Sequence, residues 1–303
     1  IPPLEYPAFL QAADAEYLDD DDIVFGMAVN GEARAYPKRI LAWHEMALDR
    51  LGGTELTIVY CTLCGTVIPY ESVVEGRHIR FGTSGLLYRS NKLMFDHDTS
   101  SLWATFEGRP VVGSLVDSGL RLRSRAVVTT TWREWRTRHP ETTVLSLETG
   151  HTRDYAEGAA YRDYFSNDRL MFQVPGEDDR LSNKAEVLVM RLADSASGTS
   201  QPLAIAERFL RRNPVYHTEA AGIRVVVVTS REGANRVFDA GQERFERVLD
   251  PDTVVDAGGR TWRLTEDALV LAEDSGVTLL RVPAQRAFWF GWRAQFPDTL
   301  LIK

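Results

Sequence analysis

The sequence predicts a β-rich α+β chain made of two pseudo-symmetric halves that arose by internal duplication. Three observations predict it. Short β-branched and aromatic runs recur throughout the 303 residues, bounded by Asn-Gly and Gly-Gly turns. Trp132-x-x-Trp135-Arg-x-x-x-Pro140-x-Thr142 returns as Trp289-x-x-Trp292-Arg-x-x-x-Pro297-x-Thr299, a constant offset of 157. The strand Gly53–Tyr60 returns at Gly222–Thr229, an offset of 169. The expected halves are 1–145 and 177–303, joined by an ordered connector over 146–176.

In the first half, Asp19 to Asp22 read as a solvated turn. Ile23–Val29 and Glu32–Tyr36 are the arms of a hairpin closed by Asn30-Gly31. Pro37 opens a helix expected to run through Ile40, Leu41, His44 and Leu48, with His44 turned inward. Gly52-Gly53 returns the chain into Thr57–Tyr60. Further strands are expected at Ile68–Val73, His78–Phe81, Lys92–Phe95 and Val111–Val116. Gly82–Asn91 reads as a small-residue loop with apolar tips. Trp132 begins a short helix that stops before Pro140.

Both cysteines of the chain stand in Tyr60-Cys-Thr-Leu-Cys-Gly-Thr66. A thioredoxin-type pair needs a helix after it, because a helix N-terminus stabilises thiolate. Val67, Ile68 and Pro69 are poor helix material, so strand, tight turn, strand is expected. That geometry suits a metal knuckle, and a disulfide or a pair of inert thiols are the alternatives. The candidate ligands are Cys61, Cys64 and His44, with Met94 or Asp96 as the variable fourth group. His97 and Asp98 follow nearby. Such a soft set favours copper over zinc. Tyr88, Arg89 and Trp103 are the candidates for shaping the pocket and for catalysis. Adding the offset of 169 places Ser230 and Gly233 where the thiols would be. The first half is therefore expected to be active and the second to be its degenerate partner.

The chain resembles the bacterial and archaeal family catalogued as domain of unknown function 3179. The resemblance rests on Asn30–Pro37, Trp43-His-Glu45, Tyr60–Thr66, Phe81–Tyr88, Leu93–Asp96, Ser101-Leu-Trp103 and the Trp132–Thr142 segment. It supplies no activity. It implies an extracytoplasmic location, because members often look exported or lipid-anchored. His97 departs from the basic residue more common there, whereas His44, Cys61, Cys64, Met94 and Asp96 fall on matching positions.

A net charge of −8 argues against nucleic-acid and anionic-membrane partners. No apolar run reaches transmembrane length. No phosphate loop, nucleophile elbow or His-x-x-x-His helix is present. The function expected is a copper-dependent oxidoreductase or oxygenase acting on a small molecule through a mononuclear Cys/Cys/His site. A non-catalytic metal carrier or structural zinc domain is one alternative. A thiol–disulfide redox protein is the other.

Overall fold

The structure, a computed structural model, describes residues 1–176, 178–193 and 200–303. The boundary expected at residue 177 lies outside the described residues. The chain is 45% strand and 11% helix. Six sheets of three to five strands, with one small extra hairpin, are arranged as a six-bladed β-propeller. The last sheet is tied to the sheet that holds Ile23–Val29: Glu266, beside the strand Thr261–Leu264, takes Arg138 and His139 from the end of the helix Trp132–Arg138.

Local chemistry explains the elements. Asn30 (φ 50°) and Gly31 (φ 86°) close the first hairpin, and Gly52 and Gly53 close the next, all with positive φ. Such turns match the twist of the strands they join. The helix after Pro37 is shorter than expected. It covers Lys38–His44 and ends where Glu45 turns left-handed (φ 59°), so that Leu48 belongs to the strand Met46–Leu51. Gly82–Asn91 is not a loop. Phe81–Tyr88 is a strand paired with Asn91–Asp96, and a register shift between Thr83 and Leu87 accommodates its small residues. The Asp19–Asp22 run is only partly solvated, because Asp22 is buried against Arg39.

Among the described residues, every strand pairing joins residues within 1–145 or within 186–302. The two central sheets have one plan. In the first, Ile23–Val29 and Glu32–Pro37 form the hairpin; Val128–Thr131 flanks one side antiparallel and Thr143–Leu145 the other side parallel. In the second, the hairpin is Glu186–Ala193 with Ser200–Ala206, flanked antiparallel by Gln285–Phe288 and parallel by Leu300–Ile302. A tryptophan helix joins the flanking strands in both cases. Trp135 donates to Thr142 at 2.9 Å, and Trp292 donates to Thr299 at 2.9 Å. The cores are shared: Met46, Phe81 and Trp103 pack in one cluster with Val187, Trp289 and Trp292.

Candidate thiol site

The strand Thr54–Cys61 is buried from Leu56 onward, so its end delivers Cys61 into the interior. The chain then turns sharply. The Cys64 amide donates to the Cys61 carbonyl at 3.2 Å, and the Gly65 amide donates to the Thr62 carbonyl at 3.3 Å. Gly65 adopts φ 61°, and a side chain there would press on the Phe288 ring. A turn closed between residues i and i+3 keeps their Cα atoms within about 7 Å. That separation is compatible with a disulfide. Both cysteines are free thiols.

The turn is clamped to the second half. Phe288 donates its amide to the Cys64 carbonyl at 2.7 Å. Gly291, in the helix Trp289–Gln295, leaves room for the Cys64 sulfur, since a Cβ there would lie 3.0 Å from Sγ.

A second tight turn supplies the polar surroundings. Tyr88 and Asn91 pair across a two-residue connection whose members, Arg89 (φ 45°) and Ser90 (φ 69°), are both left-handed without being glycine. Such residues cost on the order of 1–3 kcal/mol each and persist where the surroundings enforce them. The strained turn aims three groups at the thiols. The Ser90 carbonyl accepts the Cys64 S–H at 2.8 Å. The Asn91 amide approaches Cys64, and the Lys92 backbone N–H approaches Cys61. The Lys92 side chain is buried and paired with Glu45.

The two thiols are polarised in opposite directions. Burial pushes Cys61 up, but the neighbouring Cys64 thiol, the backbone N–H groups of Cys64 and Lys92, and the Lys92 ammonium bring it below the usual cysteine value. Burial and then the neighbouring Cys61 push Cys64 well above that value. Cys61 is therefore the more acidic thiol of the pair and Cys64 the less acidic one. Burial lowers Lys92, and Glu45 and Cys61 oppose that shift.

The connector covers this cluster. Tyr164, in the helix Arg162–Phe165, donates its hydroxyl to the Leu63 carbonyl at 2.8 Å. Tyr161, Phe165, Leu170 and Phe172 pack on the same cluster as Cys61, Cys64, Phe288 and Phe290.

The other expected ligands lie elsewhere. His44 is buried, but its Nδ1 faces the Pro2 carbonyl at 3.0 Å and its Nε2 faces the Tyr155 hydroxyl at 2.5 Å. The carbonyl can only accept, so Nδ1 carries the hydrogen, and in the neutral ring Nε2 spends its lone pair on Tyr155. Burial lowers His44 and keeps it neutral. Asp96 is committed to Thr99 and to the Trp103 indole N–H, and burial is outweighed by those bonds, so its carboxyl stays low. Met94 is fully buried in the shared core, and His97 is exposed against Phe95. Tyr88 precedes the strained turn, and Arg89, within it, is exposed and reaches the Gln295 carbonyl at 3.4 Å. Trp103 packs edge-on against Phe81. Among the described residues, no group of three or more His, Cys, Asp or Glu is placed to hold a metal ion. The expected Cys/Cys/His donor set does not fit a single ion in this arrangement. Asn91, Lys92 and Tyr164 stand at the site without having been singled out, and Glu45, expected to orient His44, pairs with Lys92 instead. The signal available for Lys92 was a lysine directly before the apolar run Leu93-Met-Phe95.

The chain belongs to the family described as protein of unknown function (DUF3179), whose model matches residues 1–299. No curated protein and no solved structure matches it. Among the described residues, no helix is long and apolar enough to cross a membrane.

Proposed function

We propose that the Cys61–Cys64 pair is a dithiol redox centre, with Cys61 attacking and Cys64 resolving. The observation that carries this reading is the pairing of two free thiols across one buried turn, with Lys92 beside them. The Cys61 thiolate attacks one sulfur of an incoming disulfide, whose other sulfur leaves and takes up a proton. Cys64 then gives up its proton and attacks the Cys61 sulfur, releasing the second thiol and closing the internal disulfide. The incoming molecule is reduced by two electrons and the pair is oxidised by two.

A second reading keeps the same two sulfurs and places a soft metal between them, Cu(I) before zinc. Thiolates select soft ions, and His44 is then a packing residue rather than a ligand. An enzyme acting on a small molecule and a carrier both remain within that reading. We also propose that the chain is an internal duplication in which the first half keeps the chemistry; the shared plan of the central sheets and the matched Trp–Thr bonds support this.

Equilibration of the anaerobic protein in dithiothreitol redox buffers, with metal analysis of the same sample, tests the first reading. It predicts metal-free protein that forms a Cys61–Cys64 disulfide. Stoichiometric copper that protects both thiols would favour the second.

A further inference from the structure

Polar groups without partners lie beside the thiols. Asn91 is 2% exposed, and neither Nδ2 nor Oδ1 closes a hydrogen bond. Thr66 pairs directly with Cys61 across the strands, so the two side chains share a face. Its hydroxyl is also buried and unpartnered. An unsatisfied buried polar group costs on the order of 1–3 kcal/mol. Two such groups next to a sulfur ask for a guest that both donates and accepts hydrogen bonds.

The guest must also be small. Cys61 is 2% exposed and Cys64 0%, and aromatic side chains of the connector cover them. A folded protein has no direct route to either sulfur, which leaves small oxidants, a peroxide or a small disulfide such as oxidised dithiothreitol.

We infer that the oxidant of this dithiol is hydrogen peroxide, held by Asn91 and Thr66 next to Cys61. The inference rests on the dithiol reading. The Cys61 thiolate attacks one peroxide oxygen, and the O–O bond breaks. Hydroxide leaves and takes the proton of the neighbouring Cys64 thiol, giving water, a Cys61 sulfenic acid and a Cys64 thiolate. The Cys64 thiolate attacks the Cys61 sulfur, expelling hydroxide. That hydroxide takes the proton Cys61 released on ionising. Two thiols and one peroxide become one disulfide and two waters.

The test uses the full chain, reduced anaerobically, with disulfide formation followed by quenched alkylation and mass spectrometry. The oxidants are hydrogen peroxide and, for comparison of size, cumene hydroperoxide. Asn91→Leu and Thr66→Val replace orphan polar groups by apolar ones of similar shape, so folding should be retained. Each should slow peroxide-driven closure about tenfold, the scale of one lost transition-state hydrogen bond. Cumene hydroperoxide should be slower than hydrogen peroxide in the native chain. Equilibration with oxidised dithiothreitol should close the disulfide in all three proteins. Peroxide rates equal in the native chain and both variants would overturn the inference and leave the orphan groups as water sites. Failure of oxidised dithiothreitol to close the disulfide would instead overturn the dithiol reading beneath it.

Discussion

Two tight turns, one at the end of Thr54–Cys61 and one at the end of Ile223–Thr229, are surrounded by different chemistry. At the end of Thr54–Cys61 the chain turns through Cys61–Cys64; at the end of Ile223–Thr229 it turns through Ser230–Gly233, with the Gly233 amide on the Ser230 carbonyl at 3.0 Å. Each rests on the tryptophan helix of the other half. Where the thiol turn meets Gly291, the serine turn meets Glu134, which accepts the Ser230 hydroxyl at 2.7 Å. Behind Ser230, Arg236 bridges Glu134 at 3.3 Å and Glu266 at 2.7 Å, and Glu266 also holds Arg138 and Arg281. One corner is filled with paired charges. The other is left with two thiols and polar groups that have no partner.

The largest expected difference lies in stability. Glu266→Gln leaves Arg138, Arg236 and Arg281 buried around a neutral amide and should cost about 3–5 kcal/mol in denaturant unfolding. Cys61→Ser should cost far less. Despite burial, the surrounding cations hold the Glu266 carboxyl well below its ordinary value of 4.5. A depressed carboxylate contributes its stability in full above its unfolded value and loses it as pH falls through its folded one. Stability should therefore hold above about pH 4.5 and decline in acid. Glu266→Gln should flatten that acid limb. An unchanged limb would show that the serine corner is not the acid-sensitive one.

Next comes the clamp. Gly291→Val drives side-chain atoms into the Cys64 sulfur and should cost about 1–3 kcal/mol, although a glycine inside a helix is ordinarily a liability. A stabilised variant would mean that the turn and helix do not touch as described.

Lys92→Met tests the electrostatics. Without the ammonium, the Cys61 thiol should titrate at higher pH, seen as an upward shift in the pH profile of alkylation. Glu45→Gln should leave Lys92 in place and change that profile less. The smallest effect is expected for Ser230→Ala, which removes the hydrogen bond to Glu134 and the acceptor of the Ala234 amide and should cost about 1–2 kcal/mol without altering thiol chemistry.

How much of this was legible in the chain follows from the range of each signal. The knuckle was local: β-branched residues on both sides of Cys61 and Cys64, with Gly65 below, specify strand, turn and strand. The Asn30-Gly31 hairpin and the Trp132 helix were local too. The partner of His44 was not, because Pro2 and Tyr155 reach it from 42 and 111 residues away. Helical spacing showed that His44 was buried but not what it would face. Phe81–Tyr88 failed to read as a strand because its glycines and serine mask the alternation. Lys92 joined the site through a hairpin bent by Arg89 and Ser90, residues that carry no turn signature.

The most direct test of the account is the redox state of the two sulfurs themselves. The reduced, metal-free chain is equilibrated across a series of dithiothreitol ratios, and the fraction oxidised is read by alkylation and peptide mapping. The account predicts that Cys61 and Cys64 disappear together as one two-electron couple, in a protein that stays folded and monodisperse. Oxidation of one sulfur without the other, or a disulfide that forms only after unfolding, would contradict it.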